Sequence, residues 1–109
     1  MQNNEKYLSL GTVVYLKEGT AKMVIIGRGN LIGEEGEKPM LFDYTAAPYP
    51  VGFLGTEQLY YFNNEHVDQV VFNGFTDTDD ERAIKMINDW KSANTSEFEI
   101  GKIEKPLED

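Results

Sequence analysis

Two short runs rich in β-branched and aromatic residues open the patterned part of the chain. They are Thr12-Val13-Val14-Tyr15-Leu16-Lys17 and Lys22-Met23-Val24-Ile25-Ile26-Gly27-Arg28, with Glu18-Gly19-Thr20 between them. Alternation predicts a strand over 12–17, with Val13 and Tyr15 on one face and Val14 and Leu16 on the other. A glycine turn over 17–20 then leads into a second strand over 21–28, so the two form a hairpin. The unbroken Met23-Val24-Ile25-Ile26 run implies cover on both faces, as in a curled sheet or small barrel.

The pattern lapses over 29–39, where Gly29, Gly33, Gly36, Glu34, Glu35 and Glu37 offer little to bury and predict a solvated loop. It resumes over 40–46 with Leu41, Phe42 and Tyr44, and breaks again at Pro48, Pro50, Gly52 and Gly55, a long connection. A fourth strand follows over 58–62 and a fifth over 69–72, joined by the turn residues Asn63-Asn64-Glu65-His66 and ended by Asn73-Gly74. The simplest arrangement of these strands is an antiparallel meander. Thr78 with Glu81 has the spacing of a capping box, and Ala83, Ile84, Ile87 and Trp90 recur with helical period, which predicts a helix anchored on the sheet by Trp90. Ser92-Ala93-Asn94-Thr95-Ser96 ends it.

These elements describe an α+β fold: a single small domain with an antiparallel sheet of about five strands, as a meander or a partly closed barrel, and one C-terminal amphipathic helix. Residues 1–9 read as a flexible lead-in and 10–92 as the globular domain. Residues 93–109 form an acidic tail in which the alternation of Phe98, Ile100 and Ile103 suggests an added edge strand. A length of 109 residues suits one domain, and an apolar fraction of 40% supplies its core.

Charge and cysteine content narrow the functional classes. Ten basic residues against nineteen acidic ones give a net charge of -9, which repels a phosphate backbone, so nucleic acid is not an expected ligand. The absence of cysteine removes disulfides and thiolate metal sites, in keeping with a cytoplasmic protein that leaves the cell only if a partner carries it. No signal-peptide pattern or membrane-spanning apolar run is visible, so no membrane insertion is expected.

Candidate chemistry is sparse. Asp77, Asp79, Asp80 and Glu81 crowd carboxylates together but lack the ligand spacing and the glycine of a calcium loop, and they read as acids at a helix N-terminus. Glu81 is spaced to pair with Lys85. His66 lies beside Glu65 and close to Asp68, yet has no cysteine or activated serine to serve, so a hydrolase reading stays weak. Gly27-Arg28-Gly29 lacks the Lys-Ser or Lys-Thr ending of a phosphate loop, and its glycines read as the exit from the second strand. The expectation is a non-enzyme with no cofactor and no metal. Tyr44, Tyr49, Pro50, Phe53 and Tyr60 gather aromatic and rigid residues around the long connection, and serve either the core or a protein-binding surface. Tyr49 and Phe53, outside the strands, are the better surface candidates.

Leu10-Gly11-Thr12-Val13-Val14, Leu16-Lys17, Lys22-Met23, Ile25-Ile26-Gly27-Arg28, Asp43-Tyr44, Tyr49-Pro50-Val51-Gly52, Tyr61-Phe62-Asn63 and Gly74-Phe75 together resemble the domain-of-unknown-function family DUF4176, over about residues 8–90. Members of that family are small proteins of Gram-positive bacteria commonly encoded beside LXG-domain toxins of the type VII secretion system. The resemblance implies an export adaptor or targeting chaperone that binds the helical N-terminal region of an LXG toxin, alone or together with a small helical WXG-like partner. It brings no catalytic residues with it. An immunity protein that neutralises the toxin's C-terminal domain is the alternative, since acidic proteins can cover basic enzyme surfaces.

Overall fold

The computed structural model describes residues 6–102, which form a six-stranded sheet with one long helix. The strands are β1 (Val13–Leu16), β2 (Lys22–Ile32), β3 (Met40–Pro48), β4 (Tyr60–Phe62), β5 (Val67–Phe72) and β6 (Glu99–Ile100); the helix, α1, is Thr78–Ala93. The path runs β4-β3-β2-β1-β5, antiparallel throughout, while β6 adds a short parallel pair to the start of β3. The α+β class read from the sequence holds, and the first hairpin forms, although the left-handed residue in its turn is Glu18 (φ 64°) rather than Gly19.

Strands β1 to β4 form an antiparallel meander, and β5 then pairs with β1 rather than with its chain neighbour β4. The reason is curvature. In a flat sheet β4 and β5 would lie about 19 Å apart, four strand spacings. Only residues 63–66 join them, and since Asn64–His66 is a 3-10 turn the connection reaches roughly 14 Å. The open sheet therefore curls until its two edges approach. The bond from the Lys17 N–H to the His66 carbonyl (2.9 Å) fastens the turn beside β1.

Inside the curl lie Val14, Leu16, Met23, Ile25, Tyr44, Ala46 and Phe62, all buried. Ile84 and Ile87 of α1 pack against this core, so the helix covers the inner face. Strand β3 is buried along Leu41-Phe42-Asp43-Tyr44-Thr45-Ala46-Ala47, which explains its lack of simple alternation.

Several local expectations shift. Strand β2 runs on to Ile32, into the stretch read as loop, because an irregularity between Ile25 and Gly27 and a positive φ of 62° at Gly29 let it bend while keeping its ladder to β3. The solvated loop shrinks to 33–39. The helix is capped by Asp77, whose carboxylate accepts from the Asp80 N–H at 3.0 Å, so Thr78 is its first residue rather than its cap. Trp90 is not the anchor: it stays 38% exposed and stacks on Phe98, whereas Asn88 and Lys91 are the buried helix residues. Lys85 pairs with Asp89 at 2.8 Å.

In the stretch read as a lead-in, Tyr7 is buried and meets the Tyr44 ring edge-on at 6.1 Å, while residues 1–5 lie outside the described range. In the stretch read as an acidic tail, Glu99 and Ile100 pair in parallel with Met40 and Leu41, and Ile103 lies outside the described range.

The turn between β4 and β5 ties these segments together. Asn63 Oδ1 accepts from the Asp43 N–H (2.8 Å) and its Nδ2 donates to the Gly101 carbonyl (2.9 Å). The Asn64 N–H donates to Asp43 Oδ2 (2.8 Å), and its Nδ2 donates to the Lys6 carbonyl (3.2 Å). Tyr44 completes the web: its hydroxyl donates to Asn64 Oδ1 and accepts from the Leu8 N–H. One turn thus gathers β3, the N-terminal segment and the end of β6.

Candidate functional site

At the end of β3 the chain leaves the sheet through a cis Tyr49–Pro50 bond and doubles back, with the Gly52 N–H donating to the Pro48 carbonyl at 2.7 Å. Gly52 adopts φ 81°, which favours glycine there, although a side chain would meet nothing nearby. The consequence is outward display. Tyr49, Val51, Phe53 and Leu54 are all exposed, Phe53 at 62%, on a loop of apolar character.

The base of this loop is fixed. The Tyr49 N–H donates to the Lys22 carbonyl (2.9 Å), and the Lys22 ammonium lies 5.6 Å from the Tyr49 ring centre and 5.7 Å from that of Tyr15. A cation between two aromatic faces holds the rings in place on the outer side of the sheet.

That outer side continues the apolar surface. Because Val14 and Leu16 point into the core, Val13 and Tyr15 face outward. Val13 lies opposite Val24 on one side and Phe72 on the other, and Tyr15 lies opposite Lys22 and Gln69. Edge strand β5 adds exposed Phe72 to this face through its pairing with Val13, while Val70 lies opposite the inward Val14. Helix α1 covers the opposite face, so these side chains meet solvent.

Of the residues expected at a binding surface, the structure brings Tyr49, Pro50 and Phe53 together on the exposed loop. Tyr44 is separate from them: it is fully buried, ring against Phe62 at 5.5 Å, and belongs to the core. Tyr60 is half-buried opposite Ala46. Val51, Leu54 and Phe72 complete the surface. The apolar residues crowded between Pro50 and Gly55 were the signal for the first two.

The residues weighed for catalysis or metal binding have structural duties. His66 Nδ1 accepts from the Asn63 N–H (2.9 Å) in a capping box that closes the β4–β5 turn, and its Nε2 lies 3.8 Å from Glu65 Oε2. In the acidic cluster Asp77 caps α1, Asp79 pairs with Arg82 and Asp80 pairs with Arg28. Among the described residues no group of three or more His, Cys, Asp or Glu is placed to hold a metal ion. Gly27-Arg28-Gly29 lies inside β2, where Gly29 backs directly onto Ile87 of α1. A cleft of about 320 Å³ of mixed polar and apolar lining, with Lys6, Asp43, Asn63 and Lys91 beside Leu41 and Ile100, lies next to the web of the β4–β5 turn.

No described helix is long and apolar enough to cross a membrane. A family model described as a domain of unknown function, DUF4176, matches residues 7–83, from the buried Tyr7 into the second turn of α1. No curated protein and no solved structure matches the chain.

Proposed function

The chain belongs to the DUF4176 family, and we propose that it is a non-enzymatic adaptor or targeting chaperone. In this reading it binds the helical N-terminal region of an LXG toxin, alone or with a small helical WXG-like protein, and promotes type VII export. The observation that carries the proposal is the apolar loop of Tyr49, Val51, Phe53 and Leu54, exposed yet fastened to a rigid sheet by Lys22. Exposed apolar residues gathered in one place are what a protein partner covers. Their fixed base reduces the ordering cost of binding.

The rest of the molecule supports the same reading. A partner helix laid across the loop and the Val13-Phe72 face would bury apolar surface on both sides of the contact, the main driving force of association. The charge of -9 keeps such a complex soluble and steers it toward basic segments of the partner.

Co-purification with separate toxin fragments tests the proposal. Capture of the N-terminal helical fragment, with loss of toxin export in a deletion strain, is the expected result. Capture of the C-terminal toxic domain alone, with export intact, would replace it with the immunity reading.

A further inference from the structure

A second apolar surface lies at the other end of β3, eight residue steps or about 27 Å from the loop. It is a groove of about 280 Å³. Leu31 and Leu41 of the β2–β3 hairpin form one wall, Met86, Ile87 and Trp90 of α1 the other, and Gly29 lies at its side. Met86 is 70% exposed and Leu31 44%, so both walls offer apolar side chains to solvent. The 86–90 spacing is one helical turn, so the α1 wall is a ridge of the kind a second helix packs against. At Leu41 the strand edge is already taken by Ile100 of β6, which leaves side chains rather than free backbone for a partner to meet there.

The charge around this groove is one-sided. The hairpin loop just beyond Leu31 and Leu41 carries exposed Glu34, Glu35 and Glu37, and exposed Glu97 and Glu99 lie at and before β6, against Lys38 and Lys102. On α1 the charges nearest Met86 pair with each other, Asp79 with Arg82 and Lys85 with Asp89. Lys91, which also lines the groove, is buried and donates to the Tyr7 hydroxyl at 2.8 Å. We infer that this groove is a docking site for an amphipathic helix of a partner protein whose apolar ridge is flanked by Lys and Arg, with the surrounding carboxylates selecting the basic flanks. The inference concerns a different surface from the Tyr49–Leu54 loop and stands or falls separately from it.

Trp90 is the sole tryptophan of the chain and forms part of the groove wall, so its emission reports occupancy directly. Three synthetic helical peptides serve as probes: one with a leucine ridge and Lys/Arg flanks, one with the same ridge and Glu flanks, and one with basic flanks and glutamine in place of the ridge. Titration of the full chain should shift Trp90 emission with the first peptide, at least tenfold more tightly than with either of the others. Met86→Glu, at an exposed position, and the pair Leu31→Glu with Met86→Glu should weaken that binding about tenfold or more. Glu97→Gln with Glu99→Gln should weaken it several-fold and reduce its salt dependence. Equal binding of the Glu-flanked peptide, no binding of the basic one, or unaltered binding by Met86→Glu would overturn the assignment. So would self-association in sedimentation that Met86→Glu abolishes, which would make a second copy the occupant.

Discussion

Arg28 Nη1 lies 2.7 Å from Asp80 Oδ1, with the two side chains only 6% and 13% exposed. The pair joins the middle of β2 to the first turn of α1, and Arg28 also reaches the Leu8 carbonyl at 3.4 Å. It therefore sets where the helix lands on the curled sheet. Removing one partner leaves the other charge buried, and such single losses cost about 3 kcal/mol or more. Arg28→Ala and Asp80→Ala should each lower stability by about that much in urea unfolding. The double variant Arg28→Met with Asp80→Leu should cost less than either, because it leaves no unpaired charge.

Gly29 and Gly36 form a built-in comparison. Both have positive φ, 62° and 88°, but a Cβ on Gly29 would sit 3.0 Å from Ile87 while one on Gly36 would meet nothing within 4 Å. Gly36→Ala should cost about 1 kcal/mol, the backbone effect alone. Gly29→Ala should cost clearly more, since it also pushes α1 outward, and the difference in thermal unfolding between the two measures how tightly the helix sits.

Asn63 is worth more than a turn residue usually is. It is buried, and its amide serves both the Asp43 N–H and the Gly101 carbonyl. Asn63→Ala should destabilise the fold by about 2 kcal/mol or more, because buried groups on two separate segments lose their partner. Hydrogen exchange at the Asp43 amide, slow in the parent and faster in the variant, checks this attribution.

The two aromatic sets should separate cleanly on substitution. Tyr44→Ala removes a fully buried ring and should cost about 3–5 kcal/mol. Phe53→Ser, on the exposed loop, should alter stability by no more than about 0.5 kcal/mol. Urea unfolding of the two variants side by side measures that contrast.

Local pattern was enough for the β1–β2 hairpin, because strand alternation and a short polar turn act over a few residues, even though Glu18 rather than Gly19 takes the left-handed conformation. It was enough for α1 as well, although capping fell to Asp77 rather than Thr78, two residues of similar capping ability one step apart. The place of β5 was not legible: that it crosses to β1 follows from the curl, a property of the whole sheet that no window of sequence carries. Trp90 and Tyr7 were misplaced for a related reason. Hydrophobicity says that a ring prefers cover, not which segment supplies it, and here Phe98 shelters Trp90 while the N-terminal stretch brings Tyr7 against Tyr44. That Tyr49, Pro50 and Phe53 lie outside the strands on an exposed loop was legible from composition, whereas the division of Tyr44 from Tyr49 needed the register of β3, which turns Tyr44 toward Phe62.

The account depends most on the Tyr49–Leu54 loop being the surface that a partner protein covers. The direct measurement is calorimetric titration of the helical N-terminal toxin fragment into the parent chain and into a Val51→Ser, Phe53→Ser double variant, with unfolding midpoints determined for both. The account predicts binding by the parent and a loss of at least tenfold in the variant, about 1.4 kcal/mol, with the fold intact. Equal affinity in the two chains, or no binding of the fragment by the folded parent, would contradict it.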